Sequence, residues 1–325
     1  MASAVLVVGE VAGGTLVPIS AELLGAARRL NAGTVACALI GSGVEAQAKD
    51  AIAHGADEAL VVDGPAFAEY NSDAYLQALL RAVEHAQPKI ILFGQTNLGR
   101  DLAPRLAFRL TTGVIMDTVE LAMNGDRLQG TRPAYGGNAR AVNVVRADPQ
   151  IATVRAKSQD PLERDDSRSG TTAKIDVPVD ASAVRIRVTD RKGMPAEGVR
   201  LEDADVVVTG GRGMGGPENF HVIEELARVL GGAVGASRAV CDLGWRPVSE
   251  QVGLTGKVVS PTLYIAVGVS GASQHMAGCS GAKNIVAINK DADANIFKAA
   301  RFGIVDDFAK IMPPLIEAAK KEKGA

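Results

Sequence analysis

Short apolar runs alternate with amphipathic stretches through the first hundred residues of the chain. The apolar runs predict buried strands over 5–8, 34–40, 58–62 and 90–93. Helical spacing predicts helices over 19–30, 44–54, 74–86 and 99–110. We expect Ser20 near the N-cap of the first helix and Pro104 within about the first turn of the last. Strands that alternate with helices are typical of a parallel sheet covered on both faces.

The pattern changes in the middle of the chain. Residues 128–153 have shorter and less periodic apolar runs, which favour antiparallel strands and turns. Residues 158–173 are charged and rich in Ser, Thr and Gly, which predicts a surface loop or linker. Alternation restarts near residue 204, so we place a domain boundary near residue 193. The expected fold is α/β with two domains. An N-terminal open parallel-sheet domain with an added β-rich segment covers 1–192, and a Rossmann-like domain covers 193–325.

Composition narrows the class of protein without naming a function. The 325 residues are 47% hydrophobic and 22% charged, which is globular composition and excludes a mainly disordered chain. A net charge of −2 and an aromatic content of 4% argue against nucleic acid as a partner. Cys37, Cys241 and Cys279 are far apart and odd in number, which fits a reducing compartment. Without a recognisable leader or a long apolar run, we expect a cytoplasmic protein with no direct membrane insertion.

A glycine-rich turn follows the first strand of the second half. Gly211, Gly213 and Gly216 match GxGxxG between a strand at 206–209 and a helix at 219–230. This arrangement presents backbone N–H groups and a positive helix end to a pyrophosphate. Nicotinamide-binding folds also require an acidic residue at the end of the second strand. Here Ser237 and Arg238 follow that strand and Asp242 comes too late, which argues against a nicotinamide dehydrogenase.

Polar residues follow the later strands of this half as well. The segments 251–256, 270–275 and 289–291 lie around strands predicted at 263–269 and 285–288. Ligands of open parallel sheets sit at the carboxyl ends of strands, so we expect these segments to form one site.

These segments together resemble the electron transfer flavoprotein alpha subunit family. The similarity is carried by GASR at 235–238, QVGLTG at 251–256, LYIAVGVSGASQH at 263–275, AINKD at 287–291 and GIVDD at 303–307. It covers about 205–310, and 1–190 resemble the family's first domain more loosely, at Phe93-Gly94 and 101–107. The resemblance implies one FAD in the second domain, facing a smaller beta subunit that the first domain contacts. A second FAD or an AMP is then expected on the beta subunit.

The resemblance also places the cofactor. Its adenosine diphosphate end would lie on Arg212, Asn289 and Asp307-Phe308, and its pyrophosphate and ribityl chain near 270–272 and Gln274. Ser237 and Arg238 would flank the flavin ring, with Thr255 near N5 and His275 near O2. The complete expected set is Arg212, Ser237, Arg238, Gln251, Val252, Gly253, Leu254, Thr255, Ser270, Gly271, Ala272, Ser273, Gln274, His275, Asn289, Asp307 and Phe308. No catalytic residue in the strict sense and no metal site are expected. Leu254 departs from the family, which usually has Gln before the loop threonine.

The residues expected at the ring suit a one-electron carrier. Reduced flavin carries negative charge around N1 and O2, and a cation or hydrogen-bond donor aimed there stabilises it. Arg238 stays charged, and His275 could add a donor or a full charge. The resemblance implies electron transfer from flavin dehydrogenases, such as acyl-CoA dehydrogenases, to a membrane quinone oxidoreductase. Two alternatives stay open: an electron-bifurcating, NADH-using member of the same family, and an adenine-nucleotide-binding module without redox chemistry.

Overall fold

The computed structural model describes residues 4–137, 139–190 and 199–324. The chain divides into two compact units. The first unit comprises Met1–Pro133 and Arg140–Lys192, and the second comprises Ala134–Ala139 and Gly193–Ala325. The predicted boundary near residue 193 lies outside the described residues. The domain limits expected from the sequence therefore stay a prediction, and the second unit includes a short segment from the middle of the chain.

The first unit is built from strands that alternate with helices. Its helices are α1 (Pro18–Arg29), α2 (Gln47–Ala53), α3 (Ser72–Ala86) and α4 (Asn97–Arg109). Its strands are β1 (Val5–Gly9), β2 (Val11–Ala12), β3 (Thr15–Leu16), β4 (Val35–Gly41), β5 (Glu58–Asp63), β6 (Ile90–Gly94), β7 (Val114–Thr118), β8 (Glu120–Asn124), β9 (Arg127–Ala134), β10 (Ala139–Val144), β11 (Gln150–Val154) and β12 (Thr171–Lys174).

Among the described residues, seven of these strands form one parallel sheet in the order β12-β5-β4-β1-β6-β11-β7. Alternate side chains of β1 enter two separate cores: Val5 and Val7 pack on one face and Leu6 and Val8 on the other. A strand buried on both faces must be apolar at every position, which is why β1 reads as a continuous apolar run. The prediction of a parallel sheet covered on both faces is confirmed.

Two local predictions in this unit are wrong. α1 begins at Pro18, after Val17, so Ser20 does not cap it. The Ser20 side chain is buried, and its hydroxyl accepts from the backbone N–H of Glu10 at 2.8 Å. Pro104 lies in the interior of α4, because the helix begins earlier than its apolar pattern indicates. Thr96 caps α4 by accepting from the N–H of Gly99 at 3.1 Å. Pro104 is exposed, so the carbonyl that its missing N–H leaves free can bond water.

The middle of the chain also differs from the expectation in two places. β8 and β9 are antiparallel and share a three-stranded sheet with β10, as predicted for this segment. However, β11 is a buried parallel strand between β6 and β7 in the large sheet. Within the stretch predicted as a loop, β12 pairs in parallel with β5. Both strands are placed by pairing partners far away in sequence, which a local pattern does not report.

The second unit repeats the same architecture on a smaller scale. Its strands are β13 (Val206–Gly210), β14 (Ala233–Ala236), β15 (Leu263–Val267), β16 (Asn284–Asn289) and β17 (Phe302–Val305). Its helices are α5 (His221–Leu230), α6 (Arg238–Asp242), α7 (Ser273–Cys279) and α8 (Phe308–Lys323). Among the described residues the strands form a parallel sheet in the order β14-β13-β15-β16-β17. Val207 and Val208 enter cores on opposite faces, so this sheet too is covered on both sides.

Candidate functional site

The carboxyl ends of the central strands of the second unit border one cavity. Gly210 of β13 pairs with Ala236 of β14 and with Val267 of β15, so the three strands end side by side. The residues that follow the ends of β13 to β16, together with the loop 251–255, line a space of about 590 Å³. Such a volume falls within the usual range for ligand pockets, and the edge is where open parallel sheets bind ligands.

Glycines allow the turns after β13 and β15 to lie against each other. A Cβ atom on Gly211 would come within 2.2 Å of the carbonyl oxygen of Gly268, and one on Gly213 within 2.8 Å of the same atom. Gly268 itself has φ +62°, which favours glycine. The first two glycines of the GxGxxG pattern thus serve backbone packing at the edge of the cavity.

The rest of the glycine pattern differs from the predicted phosphate cradle. Two short 3₁₀ turns, Arg212–Met214 and Pro217–Phe220, separate β13 from α5. The helix begins at His221, two residues after the predicted start. Arg212 and Gly213 line the cavity, whereas Gly211 and Gly216 are outside its lining. The turn after β13 therefore borders the cavity through Arg212 and Gly213 and not through the whole glycine pattern.

Arg238 brings positive charge to the cavity from the start of α6. It follows Ser237, which is the N-cap residue of that helix, and both residues line the cavity. The Arg238 side chain is 67% exposed, and its Nε lies 3.3 Å from a carboxylate oxygen of Asp242. Asp242 is thus the ion-pair partner of Arg238, one helical turn away.

The loop 251–255 is held by both neighbouring elements. The backbone N–H of Val252 donates to the carbonyl of Ala236 at 2.9 Å, and that of Leu254 donates to the carbonyl of Gln274 at 2.7 Å. The amide of Gln251, itself buried, donates to the Thr255 hydroxyl at 3.0 Å. That contact occupies an acceptor site of Thr255, so its own hydrogen remains available for another acceptor. The Leu254 side chain is 65% exposed at the cavity.

His275 is the buried titratable group of the cavity wall. It lies in the first turn of α7, is 7% exposed, and its Nε2 is 2.9 Å from the hydroxyl of Tyr264. Its Nδ1 is buried and has no hydrogen-bond partner. Burial lowers the pKa of His275 to about 4, and the nearby backbone of Val252 opposes only part of that effect. Of the two options expected from the sequence, the structure favours a neutral hydrogen-bonding ring over a full positive charge.

Asn289 ties two strand ends together. Its amide donates to the carbonyl of Val269 at 2.9 Å, and its oxygen accepts from the backbone N–H of Asp291 at 3.0 Å. These bonds hold the turns after β15 and β16 in one arrangement at the far side of the cavity. Asp291 and Ala294 belong to the same wall.

The cavity collects most of the residues predicted from the sequence. All of them line it except Gly271, Ser273, Asp307 and Phe308. Asp307 instead caps α8 by accepting from the N–H of Ala309 at 2.9 Å, and Phe308 packs against the hydrophobic core. The lining residues that the sequence did not single out are Gly213, Ala239, Gly268, Val269, Asp291 and Ala294. All of them except Ala294 lie within two residues of a predicted one, so sequence adjacency was the signal that could have included those five.

Metal and thiol chemistry find no support among the described residues. No group of three or more His, Cys, Asp or Glu side chains that could hold a metal ion occurs in that part of the chain. Cys37, Cys241 and Cys279 are buried and free. Burial raises the pKa of Cys37 and of Cys279 to about 12, so neither is a reactive thiolate near neutral pH. Over the same described residues, every helix falls short of the length and apolar character that crossing a bilayer requires.

The fold and the site define an α/β protein with a ligand-sized cavity at the carboxyl edge of its second parallel sheet. The comparisons with known proteins narrow this class. Residues 5–180 match the electron transfer flavoprotein domain, and residues 200–280 match the electron transfer flavoprotein FAD-binding domain.

Curated relatives match along almost the whole chain. The electron transfer flavoprotein subunit alpha of Thermoanaerobacterium thermosaccharolyticum is 47% identical over 319 residues, covering 95% of this chain and 96% of the relative. That of Bacillus subtilis is 42% identical, covering 99% and 98%. The protein FixB of Clostridium saccharobutylicum is 42% identical, covering 95% and 93%. The chain belongs to the electron transfer flavoprotein alpha subunit family, and its match to the FAD-binding domain supports flavin binding by the second unit.

Proposed function

We propose that the chain is the alpha subunit of a heterodimeric electron transfer flavoprotein. It holds one FAD in the second unit and passes electrons singly from flavin dehydrogenases, such as acyl-CoA dehydrogenases, to a membrane quinone oxidoreductase. It is an electron carrier, and its partners catalyse the conversion of substrates. The first unit contacts the beta subunit, which carries a second FAD or an AMP.

One observation carries this proposal. Four strand ends border one cavity, and that cavity is lined by thirteen of the seventeen residues that the family resemblance assigned to FAD. These residues come from segments spread over almost eighty positions of sequence, between Arg212 and Asn289. Their occurrence around one cavity supports an FAD site more strongly than any one motif does.

The residues of the cavity fit the parts of FAD. The bound flavin would supply the redox chemistry, and the chain supplies binding and electrostatics. Arg212 and the Asn289 turn suit the adenosine diphosphate end, because a guanidinium pairs with phosphate oxygens. Arg238 supplies positive charge at the ring, while Gln251 orients the Thr255 hydroxyl. Further contacts from Asp307 and Phe308 stay a prediction.

A second candidate is an electron-bifurcating carrier that oxidises NADH. The relatives favour keeping it, since they bear two different names, subunit alpha and FixB. Its additional flavin would lie mainly on the beta subunit. Flavin stoichiometry therefore separates the two candidates better than any feature of this chain.

The test is to co-express the chain with its beta subunit, count the flavins per heterodimer, and reduce the complex stepwise. One FAD that passes through a one-electron-reduced state supports the simple carrier. Two FADs, one of them bleached by NADH, support the bifurcating type. No flavin after reconstitution would contradict both and leave a non-redox nucleotide-binding module.

A further inference from the structure

One wall of the cavity is a loop that closes on itself outside the lining. Residues 251–255 line the cavity, and Lys257 follows outside it. The backbone N–H of Lys257 donates to the carbonyl of Gln251 at 2.6 Å, and that of Gly253 donates to the carbonyl of Lys257 at 3.1 Å. The position of Lys257 is therefore coupled directly to the residues that face the ligand.

The closure of this loop leaves little room. A Cβ atom on Gly256 would lie 2.3 Å from the carbonyl oxygen of Gln251. The backbone N–H of Gly256 donates to the carbonyl of Gly253 at 3.0 Å. Because the loop is packed this closely against its own start, a displacement of Lys257 is passed on to Gln251 and Gly253.

The two halves of the loop 251–257 are held in different ways. The first half is held by the backbone bonds to β14 and α7 described above. Among the described residues, 255–258 form one hydrogen-bonded or charged contact with another element, in which the Lys257 ammonium pairs with the carboxylate of Glu202. Backbone bonding to another element resumes at Val259, whose N–H donates to the carbonyl of Gly278 at 2.7 Å.

Glu202 lies in the segment 199–205, which leads into β13. Its neighbour Leu201 is 7% exposed and belongs to the same hydrophobic core as Val252 and Val259. Because this buried side chain fixes the segment, the Glu202 carboxylate is held beside the loop.

The pair is ionic and partly shielded from solvent. The side chains of Lys257 and Glu202 are 39% and 31% exposed. Burial by itself raises the pKa of Glu202, but the hydrogen bond and charge of Lys257, aided by a backbone hydrogen bond and by the charge of Arg200, hold that pKa below its usual value. Glu202 is therefore ionised near pH 7 and attracts the ammonium group of Lys257.

We propose that Glu202 and Lys257 are positioning residues of the ligand site: their ion pair holds the second half of the loop 251–257 to the segment before β13, and so keeps residues 251–255 in the arrangement that lines the cavity. Neither residue is part of the lining, so both act through the loop. The inference rests on the proposed function in so far as the ligand is FAD. Without the ion pair, the loop should let the ligand dissociate faster.

The hold on the loop is measured on the full-length chain without ligand. Amide hydrogen exchange followed by NMR distinguishes Gly253 and Lys257, whose N–H groups bond within the loop, from Leu254, whose N–H bonds to α7. In Glu202→Gln the amides of Gly253 and Lys257 should exchange severalfold faster, while that of Leu254 stays unchanged. A general loss of stability would instead speed the exchange of all three.

The consequence for the ligand is measured by the rate of FAD release from the chain co-expressed with its beta subunit. Glu202→Gln and Lys257→Met should each release FAD roughly two- to fivefold faster, as for loss of one partly exposed ion pair. The double variant should release FAD no faster than either single variant, because the two residues act through one contact. Glu202→Lys combined with Lys257→Glu should restore slow release.

The matched control is Arg200→Gln. Arg200 is 67% exposed, and its Nε lies 3.4 Å from a carboxylate oxygen of Asp203. The charge of Arg200 also acts on Glu202, but its ion-pair partner belongs to the same segment and not to the loop. This variant should therefore release FAD as the wild type does. Salt at about 1 M, where the Debye length is about 3 Å, should narrow the difference between wild type and Glu202→Gln.

Each outcome has a definite meaning. Unchanged amide exchange at Gly253 and Lys257 in Glu202→Gln would overturn the hold on the loop, whether or not FAD binds. Faster exchange with unchanged FAD release would overturn the role toward the ligand, and equal acceleration by Arg200→Gln would overturn the role of the ion pair. Failure of the wild-type complex to bind FAD would contradict the proposed function, while amide exchange would still decide the hold on the loop. If circular dichroism shows that Glu202→Gln does not fold, Lys257→Met and the salt dependence of wild-type exchange test the same contact.

Discussion

Arg238 is the residue whose charge the proposed electron transfer depends on most directly. We expect Arg238→Ala to retain severalfold less one-electron-reduced flavin on stepwise reduction, because a cation beside a developing negative charge stabilises it selectively. The measurement is an anaerobic titration followed by absorbance. Arg228→Ala is the control, since Arg228 is an exposed arginine of α5 outside the cavity. An equal yield in both variants would remove Arg238 from the flavin site.

His275 makes the stability of the second unit depend on pH. Its pKa falls from 6.5 to about 4 on folding, so the unfolded chain binds the proton more tightly. The stability that the neutral, buried His275 contributes is therefore fully present above pH 6.5, and it is lost as the pH falls toward 4. Relative to His275→Gln, the wild-type chain should lose about 2 kcal/mol of unfolding free energy between pH 7.5 and 5. Denaturant titrations followed by Trp245 fluorescence measure the unfolding free energy of both proteins at each pH. If the difference between the two free energies did not change with pH, the neutral ring would be contradicted.

At the scale of elements, the site depends on how closely two turns approach. A methyl group on Gly211 would lie 2.2 Å from the carbonyl oxygen of Gly268, with backbone on both sides that has no side-chain rotation to relieve it. We expect Gly211→Ala to destabilise the second unit by about 2–3 kcal/mol and to abolish most FAD binding. Thermal unfolding and flavin retention measure the two effects.

The control for that change is Gly244→Ala. Gly244 also belongs to the second unit and has φ +73°, but nothing lies within 4 Å of the position of its Cβ. Gly244→Ala should therefore destabilise the second unit by about 1 kcal/mol, which is the backbone strain of an alanine at positive φ, and it should retain FAD binding. If the two variants behaved alike, the packing of the turns would not be what requires glycine at 211.

For the whole molecule, the two units should respond differently to FAD. Each unit has cores on both faces of its own sheet, and the cavity lies entirely within the second. A bound ligand stabilises only the folded unit that holds it, and FAD at a hundredfold excess over Kd should stabilise that unit by about 2.7 kcal/mol. Hydrogen exchange followed by mass spectrometry should therefore slow in β13–β16 and stay unchanged in β1, β4 and β6. Equal protection of both units would contradict a site confined to the second.

The sequence by itself determined the α/β class and the edge of the second sheet that carries the site. Both follow from local signals: strands buried on two faces must be apolar throughout, and polar residues that follow such strands lie at their carboxyl ends. Arg212, Arg238, Thr255, His275 and Asn289 are assigned to the site by the family resemblance rather than by these local signals, and all five line the cavity.

Only the tertiary structure decided which partners these residues have. β11 becomes an interior strand of the large sheet by pairing with β6 and β7. Tyr264 of β15 contacts His275 of α7. Gly211 requires its lack of a side chain because of Gly268, fifty-seven positions further along the chain. Long-range contacts set which strands pair and how deeply a single residue is buried. The local spacing of hydrophobic residues therefore does not reveal either. Whether His275 carries a charge or a neutral N–H depends on that same burial, and it is the structure that assigns it the neutral ring.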